Sequence, residues 1–296
     1  MCKQRARERR LKMTGKPLRL SLDAFLRTLH RSARSHTNGY HHYTTMSSLL
    51  SMLDSGRVYF SLLRESNDGG EYNSDCHYMM CFNYGREESI ALWSLYGVPR
   101  NESIRLTFPR HDIMEWLESV RSGELEFYAV EGKNRAVPLK GACPKVSICD
   151  VAYYGNGIFT HNEKNYLVAK GKKSGFDPNG DSKLAPYVKK WGWSFEREVR
   201  IVIEFEKPVL NSKRKPYKHI AVDFDEPLQA LRDGCGEIRL GPWCRRSEKS
   251  VQKKGFTKAV IKPSDFANRV HLRTECVGCD KAKRKACVCK YKERGL

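Results

Sequence analysis

The chain of 296 residues lacks any run of about 18 apolar residues, so nothing in it reads as a membrane-spanning helix. The opening Met1-Cys2-Lys3-Gln4-Arg5-Ala6-Arg7 is basic and leads into no apolar segment, which is not the pattern of a secretory signal. There is no P-loop, no GxGxxG after a strand, no GxSxG elbow and no HExxH helix. These gaps remove the commonest signatures of phosphate cradling, dinucleotide binding, serine hydrolysis and zinc proteolysis. No internal repeat is visible either. The eleven cysteines are odd in number and follow no signal, which fits reduced thiols in a cytoplasmic protein better than a disulfide framework.

What the chain has in excess is positive charge, a net +20, and it lies at the ends. Residues 1–36 carry 11 Lys/Arg against 2 Asp/Glu, and residues 245–296 carry 16 against 5. The stretch between them holds 27 of each and is neutral. Terminal charge of this kind is the footprint of polyanion binding, with nucleic acid the commonest partner, or an aid to solubility. Three regions follow: a basic N-terminal segment with one helix (1–36), a central domain (37–270) and a basic, cysteine-rich tail (271–296).

Ser21 is a plausible N-cap for a helix with Leu22, Phe25, Leu26 and Leu29 on one stripe. Tyr40 to Thr45 reads as a strand, followed by a helix that Gly56 stops and by a strand over 57–62. Further strands are expected near 76–84, 103–108, 125–130, 145–154, 218–223, 236–240 and 258–262. Helices are expected near 88–97, 112–120, 161–170, 183–190, 226–232 and 246–254. Mixed strands and helices without strict βαβ alternation predict an α+β domain with a mixed, largely antiparallel sheet and flanking helices.

The most informative stretch, Trp191 to Phe205, reads as one long strand rich in β-branched and aromatic residues. Side chains alternate along a strand. Phe195, Val199, Ile201, Ile203 and Phe205 then share one face, while Glu196, Glu198 and Arg200 form a row on the other. Such a row is either a solvated sheet face or one wall of a polar cleft. Other groups suited to chemistry are His41, His42, the neighbouring Tyr43, the Asn67/Asp68/Glu71 turn, and Trp93 and Tyr96 at helical spacing. Adjacent histidines in a strand point to opposite faces, so at most one is expected in a given cleft.

The order Tyr-His-His-Tyr-Thr-Thr (40–45), Asn-Asp-x-x-Glu (67–71), Leu-Trp-Ser-Leu-Tyr (92–96), Phe-Glu-x-Glu-Val-Arg (195–200) and Ile-Arg-Leu-Gly-Pro (238–242) resembles a widespread bacterial domain-of-unknown-function family. Its members read roughly YHYT, NDP, MWSHY, YExExR and IxLGP, and the resemblance spans about residues 40–265. Gly69 stands where the family usually has Pro, and Leu92 and Leu95 stand where Met and His are common. The opening strand–helix–strand and the late ExE pair are more distantly similar to the ADP-ribosyltransferase fold. That similarity implies an NAD-consuming ADP-ribosyltransferase or NAD glycohydrolase, with toxin, stress or phage-defence roles. It implies that His41 or His42 holds the adenosine-side ribose of NAD, and that Tyr59, Ser61 or Tyr96 lines the nicotinamide slot, with Tyr43 and Trp93 in the same NAD-binding set. Glu198 is expected on the nicotinamide-ribose hydroxyl and Glu196 on the acceptor. Arg200 would take the pyrophosphate or fix the glutamates.

Departure of nicotinamide develops oxocarbenium character, as in glycoside hydrolysis. A carboxylate against the ribose stabilises that charge, and a second one, about 7 Å along the strand, can act on the nucleophile. In the tail, Cys276, Cys279, Cys287 and Cys289 are spaced as CxxC and CxC and could hold one structural zinc. Two other classes compete. One is a non-catalytic nucleic-acid-binding protein. The other is a metal-dependent hydrolase or nuclease ligated by Asp68, Glu71, Glu196 and Glu198.

Overall fold

The computed structural model describes residues 16–37, 39–66, 74–131, 135–169 and 184–267. The chain begins with β1 (Leu18–Ser21), α1 (Leu22–Ala33), β2 (Tyr40–Thr45), α2 (Met46–Ser55), β3 (Arg57–Leu62), β4 (His77–Asn83) and α3 (Ile90–Tyr96). It continues through β5 (Ser103–Phe108), α4 (Arg110–Ser122), β6 (Phe127–Glu131), β7 (Arg135–Pro138), β8 (Lys145–Asp150), β9 (Ala152–Gly155), β10 (Ile158–His161) and β11 (Lys164–Ala169). Then come β12 (Val188–Lys190), β13 (Glu198–Glu204), β14 (His219–Asp223), α5 (Asp225–Arg232), β15 (Glu237–Leu240), α6 (Glu248–Gln252) and β16 (Val260–Pro263).

Local chemistry sets several of these boundaries. The Ser21 hydroxyl accepts the Ala24 amide at 3.3 Å and caps α1, and Thr45 caps α2 by accepting the Ser48 amide at 3.1 Å. Gly56, left-handed at φ 65°, ends α2 and turns the chain directly into β3.

Two mixed sheets result, the larger one largely antiparallel and the smaller one with two parallel and two antiparallel pairings. The smaller has the order β1-β11-β10-β9-β12. The larger runs β16-β15-β5-β2-β4-β3-β14-β6-β7, with β13 on the other edge of β4 and β8 beyond it. β4 is the strand at which this sheet divides. One edge pairs with β13 along its whole length, from Glu198↔Asn83 to Glu204↔His77. The other edge is shared: β3 meets it at Met79 and Tyr78, and β2 at the single pair His41↔Asn83.

β13 is buried on both faces. Val199, Ile201 and Ile203 enter the main core with residues of the flanking helices, including Leu49, Trp116 and Leu228. Burial of each such side chain is worth about 1.5–3 kcal/mol. On the opposite face, Val202 packs with Phe25 and Leu29 of α1 and with Phe159, Tyr166 and Val188 of the smaller sheet. The row of Glu198 and Arg200 therefore lies between two sheets and is not a solvated face.

Four sequence expectations need correction. Residues 184–190, within the helix expected over 183–190, form a 3₁₀ turn (Ala185–Tyr187) and β12, which pairs with β9 through Val188↔Ala152. Residues 18–33, assigned to a basic N-terminal segment, are built into the fold: β1 pairs with β11 and α1 buries Phe25 and Leu29. Residues 161–169, within the helix expected over 161–170, are not helical. They form the β10–β11 hairpin, in which Tyr166 and Val168 alternate into the second core while Asn162 and Glu163 turn with positive φ. The long strand from Trp191 also starts late: Trp191–Glu196 is a 3₁₀ turn, and Arg197 is left-handed at φ 43° before β13 begins. Among the described residues no helix is long and apolar enough to cross a membrane. Residues 1–15 and 268–296, with most of the basic excess and the four proposed zinc cysteines, lie outside the described residues, as do Asn67, Asp68 and Glu71.

Candidate functional site

Because β2 touches β4 at one residue pair and then diverges, the sheet opens between them. The His42 ring spans the gap, its Nδ1–H donating to the Cys81 carbonyl at 2.9 Å in place of a ladder bond. The resulting cleft has about 380 Å³ of empty space. Its walls are His41, His42 and Tyr43 from β2, Cys81, Phe82 and Asn83 from β4, Leu92 and Tyr96 from α3, and at the end Glu196 and Glu198. Both histidines line it, contrary to the expectation that only one could. The cleft runs along a strand edge, where the two faces meet.

Register explains why distant residues converge. Glu237, Thr107, His41, Asn83 and Glu198 are successive partners across β15, β5, β2, β4 and β13, so their side chains share one face. His41 Nδ1 meets the Thr107 hydroxyl at 3.0 Å. Its Nε2 is buried and has no hydrogen-bond partner. Burial first, then the nearby Arg105 charge, lowers the His41 pKa to about 3, so the ring is neutral. Burial also lowers the pKa of His42.

The two glutamates meet in a way the sequence did not show. The left-handed turn at Arg197 takes Glu196 out of the strand, yet both carboxylates bind one ammonium. Lys189 Nζ lies 2.7 Å from Glu196 Oε2 and 2.9 Å from Glu198 Oε2. The Tyr96 hydroxyl donates to Glu196 Oε1 at 2.6 Å. The Asn83 side-chain amide donates to the Glu196 carbonyl and accepts the Gly85 amide at 2.9 Å. Glu198 receives Arg200 Nε at 2.7 Å, and its backbone N–H donates to the Tyr153 hydroxyl at 3.0 Å.

These surroundings push the carboxyls apart. Burial, and next the charge of Glu198, raises the Glu196 pKa against the pull of Lys189 and Tyr96. Burial alone would raise Glu198 too, but the Arg200 and Lys189 charges outweigh it and hold that carboxyl well below its usual range. Tyr96 is raised by burial and by Glu196, so it stays a donor. One carboxylate is thus fixed as an anion while its neighbour is poised to exchange a proton.

Of the residues singled out from sequence, Glu196, Glu198, His41, His42, Tyr43 and Tyr96 share this cleft. Four do not line it. Tyr59 lies on β3, its hydroxyl donating to Ser55 at 3.4 Å, and Ser61 meets His219 at 3.4 Å. Trp93 is wholly buried behind Tyr43, with its indole N–H on Glu88 at 2.9 Å. Arg200 is wholly buried under Glu198 and donates to the Pro186 carbonyl at 2.8 Å, so no pyrophosphate reaches it. Lys189, Asn83 and Tyr153 were missed. Lys189 stood in a stretch expected to be helical, and Asn83 closed an apolar strand, so neither carried a local signal.

Comparison with protein families, curated proteins and solved structures finds no match to this chain. Among the described residues no group of three or more His, Cys, Asp or Glu side chains could hold a metal ion. The two described members of the proposed hydrolase ligand set, Glu196 and Glu198, hold Lys189 and Arg200 instead.

Proposed function

We propose that the cleft between β2 and β4 cleaves the bond between nicotinamide and ribose in NAD, passing the ADP-ribosyl group to an acceptor or to water. The observation that carries this reading is the Glu196/Glu198 pair, split in protonation tendency around Lys189 at the end of a cleft walled by neutral histidines. The resemblance to ADP-ribosyltransferases adds the substrate class. Tyr43, Phe82 and Tyr96 offer apolar surface to a planar ring.

In this reading the C–N bond breaks with its electron pair going to the ring nitrogen, so the cationic pyridinium leaves as neutral nicotinamide and needs no proton. Glu198, ionised, accepts the ribose hydroxyl and stabilises the oxocarbenium charge that grows in the transition state. The nucleophile adds to the ribose carbon and gives its proton to Glu196, whose raised pKa makes it the stronger base of the two. His41, held at Nδ1 by the Thr107 hydroxyl, lines the cleft beside the two glutamates. Arg200 positions Glu198 and does not touch NAD.

The test is release of free nicotinamide from NAD by the full chain, with and without nucleic acid. Wild type is expected to release it, and Glu198→Gln to lose about 10²–10³-fold in rate, the usual cost of one preorganised electrostatic group. No release by folded wild type under any of these conditions rejects the reading. Equal nucleic-acid binding by wild type and Glu198→Gln, with no nicotinamide released, would favour a binding module instead.

A further inference from the structure

A second cavity lies on the other side of the turn that delivers Glu196. It has about 910 Å³ of empty space, and Tyr84, Tyr153, Trp191, His161, Glu163 and Arg197 line it. Consecutive residues thus serve two cavities: Glu196 and Glu198 face the first, and Arg197 between them faces the second.

Three features suggest a ligand here. First, His161 is 4% exposed, and its Nε2–H donates to the fully buried Asp150 carboxylate at 2.8 Å. A carboxylate only accepts, so this bond places a proton on Nε2 and leaves Nδ1 on the far edge of the ring from Asp150. That Nδ1 is buried and has no partner. His36 binds the other Asp150 oxygen at 2.7 Å and stacks on Tyr84 with ring centroids 3.9 Å apart, which holds the wall rigid.

Second, the fold contains two consecutive two-residue hairpin turns. The β9–β10 turn is Asn156-Gly157, the pairing such turns favour, with φ of 53° and 78°. The β10–β11 turn is Asn162-Glu163, with φ of 45° and 62°. A glutamate sits where glycine would be free of strain, and it lines the cavity as an acceptor. Third, Trp191 is 47% exposed at the rim, which leaves part of its ring open to a stacking partner.

We propose that this cavity is a nucleotide subsite, with an amino-bearing nucleobase against Trp191 and the tyrosines and a phosphate on Arg197. The Glu163 carboxylate is an acceptor for the N–H donors of such a base, and a guanidinium matches the phosphate. The nucleotide could be free or one unit of a single strand, and base stacking on aromatic side chains serves both. The site stands independently of NAD cleavage and is tested without NAD.

The experiment titrates AMP and, separately, a single-stranded oligoadenylate into the full chain by calorimetry, for wild type, Trp191→Ala and Glu163→Gly. Glu163→Gly restores the favoured hairpin pair and is expected to keep or raise the melting temperature, so a loss of binding would not reflect unfolding. Each substitution is expected to weaken binding by about fivefold or more. AMP binding with that sensitivity identifies a free-nucleotide site, and strand binding alone with the same sensitivity identifies a site within nucleic acid. The proposal is overturned if neither probe binds. It is equally overturned if binding ignores both substitutions, as it would for AMP entering the His41 cleft or for a strand held by charge elsewhere.

Discussion

Replacing Lys189 by Met removes the one ammonium that joins Glu196 to Glu198 and leaves the methylene stem in place. Lys189 is 7% exposed, and the two glutamates are 3% and 4% exposed. Water therefore cannot take over its role. Removing one partner from a buried ion pair costs about 3–5 kcal/mol. At 2–4 °C per kcal/mol for a chain of this class, melting should fall by about 6–20 °C. The loss should also depend on pH. Glu196 already has a folded pKa above its unfolded value near 4.3, so its stability contribution is complete below that value and declines as pH rises through the folded pKa. Without Lys189 that folded pKa climbs further, because the cation opposing burial is gone. The variant should lose more stability at pH 8 than at pH 5, because the higher folded pKa leaves more of Glu196 protonated, and without need of a counter-charge, at the lower pH. Thermal unfolding by circular dichroism at both pH values measures this. A double-mutant cycle with Glu196→Gln should give a coupling of about 0.5–3 kcal/mol. A loss below about 1 kcal/mol, equal at both pH values and additive with Glu196→Gln, would refute the view that Lys189 organises the pair.

Tyr96→Phe removes the donor on Glu196 Oε1; the Glu196 pKa should rise, moving the alkaline-favouring limb of the pH–rate profile to higher pH, and stability should fall by about 1–3 kcal/mol. Gly236→Ala would put a Cβ 2.4 Å from the Thr107 backbone oxygen, so β5 must shift along with the hydroxyl that holds His41. Urea unfolding should show a loss of about 1–3 kcal/mol, with nicotinamide release falling alongside it. Thr107→Val leaves the His41 Nδ1 without its partner, and KM for NAD should rise more than kcat falls if His41 binds substrate.

Much of the framework was legible because it follows from local rules. The apolar alternation of Val199, Ile201 and Ile203 marks a core strand wherever it is placed, and Ser21, Thr45 and Gly56 set helix ends through their own backbone neighbours. The β10–β11 hairpin was misread because a short run with Tyr166, Leu167 and Val168 satisfies both helical and strand spacing, and only packing against Phe25 and Phe159 decides between them. The 3₁₀ turn at Trp191–Glu196 was hidden for a related reason. Its aromatic residues have high strand propensity, and the left-handed Arg197 that ends the turn is not a residue type that signals one.

By itself, the sequence marked His41, His42, Glu196 and Glu198 as groups suited to chemistry and called for an α+β fold with a mixed, largely antiparallel sheet to present them. Tertiary structure alone decided what those groups are. Glu198 and Arg200 would be a solvated row on an isolated sheet; burial beneath the smaller sheet makes them an obligate ion pair. Tyr96 and Asn83 reach Glu196 from 100 and 113 residues away, and the cleft exists because β2 leaves β4 after one pair. Protonation, burial and strand divergence depend on neighbours brought close by folding, and a linear sequence does not contain those distances.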